Sequence, residues 1–556
     1  MSAWNISPFF NWISSKPIRL YLGFWLLLFV LYFPAREAGF VSDYTGWLYD
    51  LQHSSFADHI NRKHFVVQSL YQLSQLITWA LFQVLGTHAF LWHLVHISLH
   101  ALNCLLLFRF VAGLGLPGQK RIYVWLGCLL LCVRSGLSEV IVWEASFHYL
   151  LGTLLMLLVL RNAQLWLVSQ RIRYAIAACV VYALSTFSIE LFYVTPLMVL
   201  MLLPLVCRKG AAQQSLSVRF ICLFTLPQAL LLVLHFSLVH LFYGTWLPHI
   251  SADNAASIPY TELFARAPRW LINELLQARF MKQEWRDRLY GFFGEPLLTF
   301  FFWGIWLLMI PELLNKRRPA ISNILLYLHA AQTICLLLIA PLNFPSAFEV
   351  VYDRYSYFFS MFLWIEIALL LSLISRKLLR ICSFALLLLV QGLFAFRESM
   401  KWGRAQDQIR SLISGLPDHT DKKVLLLNMP HSIDGIYMIP PNPQNEAQLL
   451  RNLLYKPISY ELIDVAGNNM HSFSDGAHAR VVDDSTVDFA LNQWATWWWY
   501  DERGLVSRET PYFRLESREY DNRITLKGNP DQYLLLFQVG DHWKKVDMRR
   551  KGVDQY

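Results

Sequence analysis

Charge is scarce in this chain of 556 residues: only 16% are Asp, Glu, Lys or Arg, against about a quarter in soluble domains. That shortage excludes a wholly water-soluble globule. Cysteine is missing from residues 397–556, since all eight lie earlier, at 104, 128, 132, 179, 207, 222, 335 and 382. The C-terminal part therefore has no disulfide framework and no Cys-based metal site. A Gly-rich phosphate loop is also lacking, which argues against a nucleotide-driven enzyme. Internal repeats and low-complexity tracts are absent as well.

What the chain has is apolar. Hydrophobic residues make up 55% and aromatics 15%, and runs long enough to cross about 30 Å of hydrocarbon recur over the first 396 residues. This is the pattern of a polytopic α-helical membrane protein. The net charge of +9 sits largely in short clusters between apolar runs, where the positive-inside rule places it, so it signals no nucleic-acid partner. The first run, "YLGFWLLLFVLYFP" (21–34), follows Lys16 and Arg19 as a signal peptide would. It lacks a small-x-small cleavage site and precedes many further runs, so an uncleaved first span is expected.

Hydropathy predicts about eleven spans, near 20–34, 89–110, 121–133, 139–160, 174–190, 192–207, 219–243, 297–314, 323–343, 356–375 and 381–396. The segment 66–86 is long enough to cross but carries four Gln and two Ser. Charge settles its assignment. With 66–86 outside the count, Lys120/Arg121, Arg171/Arg173, Arg208/Lys209, Lys316/Arg317/Arg318 and Arg376/Lys377/Arg380 all fall on the cytoplasmic side. With it inside the count, all of them fall outside. The segment is therefore expected to be an amphipathic surface helix in a long external loop, 35–88. The N-terminus is then cytoplasmic and the C-terminus extracytoplasmic, in the inner or plasma membrane if the chain is bacterial.

A second external loop, 244–296, holds "TELFARAPRWLINELLQARF", whose charges read most simply as a solvated or headgroup-facing helix. Two domains follow: 1–396 in the membrane, and 397–556 as an extracytoplasmic α+β or mostly β domain. In the latter "KKVLLLNMP" and "DQYLLLFQVGDHW" read as buried strands, with "HSIDG" and "MIPPNPQN" as turns.

On this topology, polar residues that are costly in a membrane gather at the outer ends of several spans. Asp43 and Asp50 lie in "GFVSDYTGWLYD". His93, His96 and His100 open the second span and share about a 60° arc at about 100° per residue. Glu139 opens the fourth span, with Arg134 just before it; Glu190 closes the fifth; Asp353 and Arg354 open the tenth.

Each has a plain alternative. A loop aspartate is ordinarily solvated, and Arg354 at a span end can snorkel. The histidine stripe has metal-like spacing but needs a carboxylate ligand, and inter-helix hydrogen bonding explains it more simply; a divalent metal is not favoured. Cys128 and Cys132 share a helix face as packing residues. Glu139 and Glu190, among Leu, Val and Phe, need a partner or a cavity. Arginine suits a phosphate and a carboxylate suits a general base.

At these residues the chain resembles the GT-C superfamily of integral-membrane glycosyltransferases that use polyprenyl-phosphate-linked sugars, nearest to its protein O-mannosyltransferase-like and TMTC-like branches. The resemblance runs over roughly the first 375 residues, as an order of features. The acidic first external loop (Asp43) is followed by "HLVHISLHALN" (93–103), similar to an H-x-x-N-x-x-x-H pattern. Then come "SEVIVWEASFHYLLGTLL" (138–155), "FSIELFYVTPLMVL" (187–200) and "DRYSYFFS" (353–360). His96 stands where that pattern has Asn, Arg134-Ser135 where His-Pro is common, and Ile189 where lysine is frequent. Asp43 lacks an adjacent acidic residue.

The resemblance implies that Asp43 is the general base. It would deprotonate an acceptor hydroxyl on a protein, lipid or glycan as that hydroxyl attacks the anomeric carbon, with inversion and loss of polyprenyl phosphate. Arg354 would hold the leaving phosphate, and Tyr355 beside it, His93, His100, Glu139 and Glu190 would shape the substrate site. Two other readings stay open: a transporter or flippase of lipid-linked glycans, and a catalytically inactive scaffold of the same fold. The tryptophans of "NQWATWWWYDERG" (492–504) read as packing or an interfacial anchor ahead of a sugar platform.

Overall fold

The computed structural model describes residues 7–14, 16–40, 48, 51–61, 70–206, 211–246, 319–340, 353–439, 446–492, 495–497, 507–518 and 521–556, with scattered positions between 267 and 307. The chain divides into two compact units. The first is Met1–Phe33, Ser55–Val84 and Leu91–Glu398; the second is Pro34–Ser54, Leu85–Phe90 and Ser399–Tyr556. The segment 35–54, expected to belong to the membrane domain, is thus grouped with the C-terminal unit.

The first unit is helical. Among the described residues seven helices are long and apolar enough to cross a membrane: Pro17–Ala35, Ala89–Ala112, Glu144–Ser169, Ser215–Tyr243, Ile321–Ile339, Asp353–Leu371 and Lys377–Ser414, the last running on into the second unit. An eighth is the pair Gly118–Val133 and Ser135–Val142, bent by 66°. Ile172–Thr186 and Glu190–Leu205 are shorter apolar helices, and most of 297–314 lies outside the described residues. On Ser215–Tyr243 the side chains of Leu226, Leu230, Val233, Leu234 and Leu241 are exposed. Such a surface is compatible with hydrocarbon and poorly suited to water.

The fourth expected span, 139–160, is corrected. Trp143 is extended (φ −86°, ψ 117°) and breaks the helix, so the long helix starts at Glu144–Phe147. Glu139 belongs instead to the short helix Ser138–Val142 before it. The segment 66–86 contains the helix Gln72–Leu85, 14 residues, or about 21 Å at 1.5 Å per residue. Its Leu73, Ile77 and Leu81 pack on Phe147, Leu151 and Leu155 of the long helix.

Close approach of two helices sets the frame of the site. A Cβ on Gly127 would lie 2.9 Å from the Ile365 Cα and 3.0 Å from the Trp364 carbonyl oxygen. Only glycine lets Arg121–Val133 come this near to Ser356–Leu371. At one end of the pair Lys120 Nζ donates to the Ser372 carbonyl at 2.9 Å, a cation on a helix C-terminus. At the other end Arg134 meets Ser356.

Among its described residues the second unit is α+β with three sheets. In one, Lys423–Leu426 runs parallel to both Tyr533–Val539 and Leu462–Asp464, with His542–Lys545 antiparallel at the edge. A six-stranded antiparallel sheet holds Asp521–Leu526, whose alternating burial matches the period of two. In the third, Met429–Ile433 and Ile436–Tyr437 form a hairpin. Only Asp434-Gly435 of "HSIDG" is turn, at φ 47° and 81°, as a two-residue Asp-Gly hairpin loop requires. Of the tryptophan cluster, Trp497 is described, and it packs edge-on against Phe489 in the core. Within this unit Arg410 donates to the Glu37 carbonyl at 2.6 Å and Gly39 N–H to Gln406 at 3.2 Å, tying 37–39 to the helix.

Candidate functional site

The helix Arg121–Val133 stops because Arg134 turns extended (φ −62°, ψ 137°). A 3-10 turn, Ser135–Leu137, and the short helix Ser138–Val142 follow. Every residue from Leu131 to Glu144 is buried. Irregular backbone at membrane depth is tolerated only where protein covers it or it lines a cavity. Three acidic or basic side chains sit in that buried stretch: Arg134, Glu139 and Glu144.

Arg134 is fully buried and heavily bonded. It donates to Ser356 Oγ at 2.6 Å, to the Gly136 carbonyl at 2.8 Å and to Ser360 Oγ, and pairs with Glu274 at 3.3 Å. Glu274 also accepts from Trp364 Nε1 at 2.6 Å and from Ser356 Oγ at 3.3 Å. A Cβ on Gly136 would sit 3.4 Å from both the Glu274 and Asp353 carboxylates, so two buried acids and one arginine crowd over that glycine. Mutual attraction and several hydrogen bonds offset the desolvation of such a buried pair.

Beside it, Glu139 holds Arg354. One carboxylate oxygen accepts from the guanidinium and the other from the Arg354 backbone N–H at 2.9 Å. The Arg354 guanidinium lies 4.7 Å from the Trp143 ring centre and 4.9 Å from that of Tyr355, so two aromatic faces add cation–π attraction. From there an aromatic row continues. Tyr355 meets Tyr149 edge-on at 5.8 Å, Tyr149 lies 4.5 Å from His148, and His148 stacks on Tyr71 at 6.1 Å. The Tyr71 hydroxyl donates to the Glu190 carboxylate. Burial first, and then Glu190, raise the Tyr71 phenol well above its ordinary range, so it stays a protonated donor. Leu73 N–H to the Phe187 carbonyl at 3.2 Å and Ser74 Oγ to the Ser188 carbonyl at 3.1 Å dock the same segment on the turn before Glu190.

The histidines do not converge. His96 bonds the Val140 carbonyl at 3.0 Å. His100 bonds the Tyr357 hydroxyl at 2.8 Å, and its other ring nitrogen lies 3.5 Å from Cys104 Sγ. His93 is buried one turn before His96.

Of the residues singled out in the sequence, Glu139, Arg354, Tyr355 and Glu190 thus lie along one continuous row. His93 and His100 are buried on the helix Ala89–Ala112. Asp43 and Asp50 lie outside the described residues. Members of the row not picked out from the sequence are Trp143, Tyr149, His148 and Tyr71, and Glu274 of the neighbouring Arg134 pair was not picked out either. Glu274, expected to be solvated, is buried, and its flanks in "LINELL" carried the signal. No known family model matches the chain, and no curated protein matches it either.

Proposed function

We propose that the protein is a membrane glycosyltransferase that moves a sugar from a polyprenyl-phosphate donor to an acceptor hydroxyl on the extracytoplasmic side. The observation that carries this reading is Arg354, held by Glu139 and framed by Trp143 and Tyr355. An arginine fixed in place by one carboxylate and two rings keeps its planar donor set aimed, as recognition of a leaving phosphate requires. Glu139 then acts as a positioning residue. Tyr355, Tyr149 and His148 supply flat faces and polar edges suited to a sugar ring. Glu190 fixes Tyr71 at the far end of the row, and His93 and His100 support it from within the helix Ala89–Ala112. Asp43 remains the proposed general base, on the sequence alone. Orientation is supported by Arg109, Arg121 and Arg161, which line one cavity of about 490 Å³ near the helix ends opposite Arg134.

The test is turnover of a polyprenyl-phosphate sugar by the purified full chain, compared with Asp43→Asn and Arg354→Ala. Loss in both supports the mechanism; turnover that survives Asp43→Asn removes Asp43 as the base. A reporter fused at residue 400 that maps to the cytoplasm overturns the orientation.

A transport reading has one observation in its favour. His329 Nδ1 lies 3.0 Å from Glu366, which also accepts from Gln332, and all three are buried. Glu366 is about 20 Å along its helix from Asp353, well inside the span Asp353–Leu371, where ionisable residues mark polar pathways. Lipid-linked glycan translocation in proteoliposomes that is lost in Glu366→Gln favours this second reading.

A further inference from the structure

Behind the aromatic row, the helices Ala89–Ala112 and Arg121–Val133 bring His100 together with two thiols to which the proposed transfer reaction gives no role. Cys104 Sγ lies 3.5 Å from His100 Nε2 and 3.6 Å from Cys132 Sγ. The three ligand atoms all fall within 4.8 Å of one another and all three residues are buried. We infer that His100, Cys104 and Cys132 form a binding site for a thiophilic divalent cation with zinc-like chemistry.

The spacing is that of a coordination shell. With Zn–S about 2.3 Å and Zn–N about 2.0 Å, the edges of a tetrahedron are about 3.8 Å between sulfurs and about 3.5 Å between sulfur and nitrogen. The two measured edges match these. The outer arrangement fits as well. His100 Nδ1 is 2.8 Å from the Tyr357 hydroxyl, and that hydroxyl accepts from Asn103 Nδ2 at 3.1 Å. A metal-bound imidazole is usually oriented in this way, through its other nitrogen. In this tautomer Nδ1–H donates to Tyr357 and leaves the Nε2 lone pair facing the two sulfurs. Cys128 lies outside this group and donates its S–H to the Cys104 carbonyl oxygen at 3.6 Å.

Charge supports the same ligand class. A divalent cation with two thiolates and a neutral imidazole has no net charge, so the apolar surroundings exact little Born penalty for the filled site. On binding, the two thiol protons leave to solvent and no electron is transferred. The competing arrangement is a chain of hydrogen bonds from Tyr357 through His100 to Cys104, with no metal. That chain forms in either tautomer, with the Cys104 S–H donating to Nε2 or Nε2–H donating to the sulfur, so bound metal is what separates the two.

The experiment is to express the full chain with cobalt(II) in place of zinc, purify it, count metal per chain and record the absorption spectrum. The expected result is about one cobalt per chain, with tetrahedral ligand-field bands and thiolate-to-cobalt charge transfer. The charge-transfer band should weaken in Cys104→Ser and in Cys132→Ser and persist in Cys335→Ser. Monodisperse wild-type protein without bound metal overturns the site, and that measurement needs no variant to fold. A cobalt spectrum unchanged by Cys104→Ser and Cys132→Ser overturns it too, as does a Cys104–Cys132 disulfide found by mass in the freshly purified protein.

Discussion

Glu139 engages Arg354 through both of its carboxylate oxygens, one on the guanidinium and one on the backbone N–H. The second bond ties side-chain position to the 3-10 turn Asp353–Tyr355, from which the helix Ser356–Leu371 starts. Breaking a buried pair by removing one partner costs about 3–5 kcal/mol. Glu139→Gln and Arg354→Lys are each expected to lower the thermal midpoint. The double variant should be less destabilised than the sum, with a coupling of about 1–3 kcal/mol in a double-mutant cycle. On the transferase reading, Arg354→Lys loses the planar fork and its stacking, and turnover is expected to fall about a hundredfold. Simple additivity in the cycle would show that the two side chains act independently.

Gly127 is where helix packing controls the site. A methyl there meets helix backbone at 2.9–3.0 Å, and backbone has no rotamer in which to retreat. Overpacking of this kind costs about 1–3 kcal/mol. Gly127→Ala is expected to destabilise the protein and to loosen the bonds of Arg134 to Ser356 and Ser360. Hydrogen exchange across 134–142 is the measurement. Unchanged exchange there would separate helix packing from the site.

The sequence showed where charge was expensive but not which charges pair. Glu139 and Glu190 were legible because each sits among apolar residues, a placement that requires partners. Their partners, Arg354 and Tyr71, are 215 and 119 residues away in sequence, and no local periodicity encodes such contacts. The break at Trp143 was hidden for a related reason. A predominantly apolar run fixes mean hydropathy but not backbone direction, so 139–160 read as one span. The turn in "HSIDG" was legible, because Asp-Gly suits positive φ at two successive positions, but His431–Ile433 before it belong to the strand.

Tyr71 joins the helix Gln72–Leu85 to Glu190, and its phenol stays protonated beyond the ordinary tyrosine range. Tyr71→Phe removes that donor and leaves a partly buried carboxylate short of a partner, at a cost of about 1–3 kcal/mol. Glu190→Gln is expected to act in the same direction. Both should speed amide exchange in Gln72–Leu85 while leaving the middle of Phe147–Ser169 unchanged. Equal exchange in wild type and variants would mean that Leu73, Ile77 and Leu81 alone hold the helix.

His431 makes the second unit sensitive to acid. Its ring is buried against Gly467, where a Cβ would overlap it. Burial lowers its pKa from 6.5 to about 3. As pH falls, the unfolded chain therefore takes up this proton first. The stability linked to His431 is complete above about pH 6.5 and is lost progressively down to about pH 3. Between pH 7.5 and 5.5 the loss is on the order of 1 kcal/mol. His431→Asn, which does not titrate, is expected to flatten the fall in thermal midpoint over that interval, measured by melts of the full chain. Gly467→Ala is expected to destabilise the protein at every pH by displacing the ring. Parallel pH slopes for wild type and His431→Asn would mean that other groups carry the acid response.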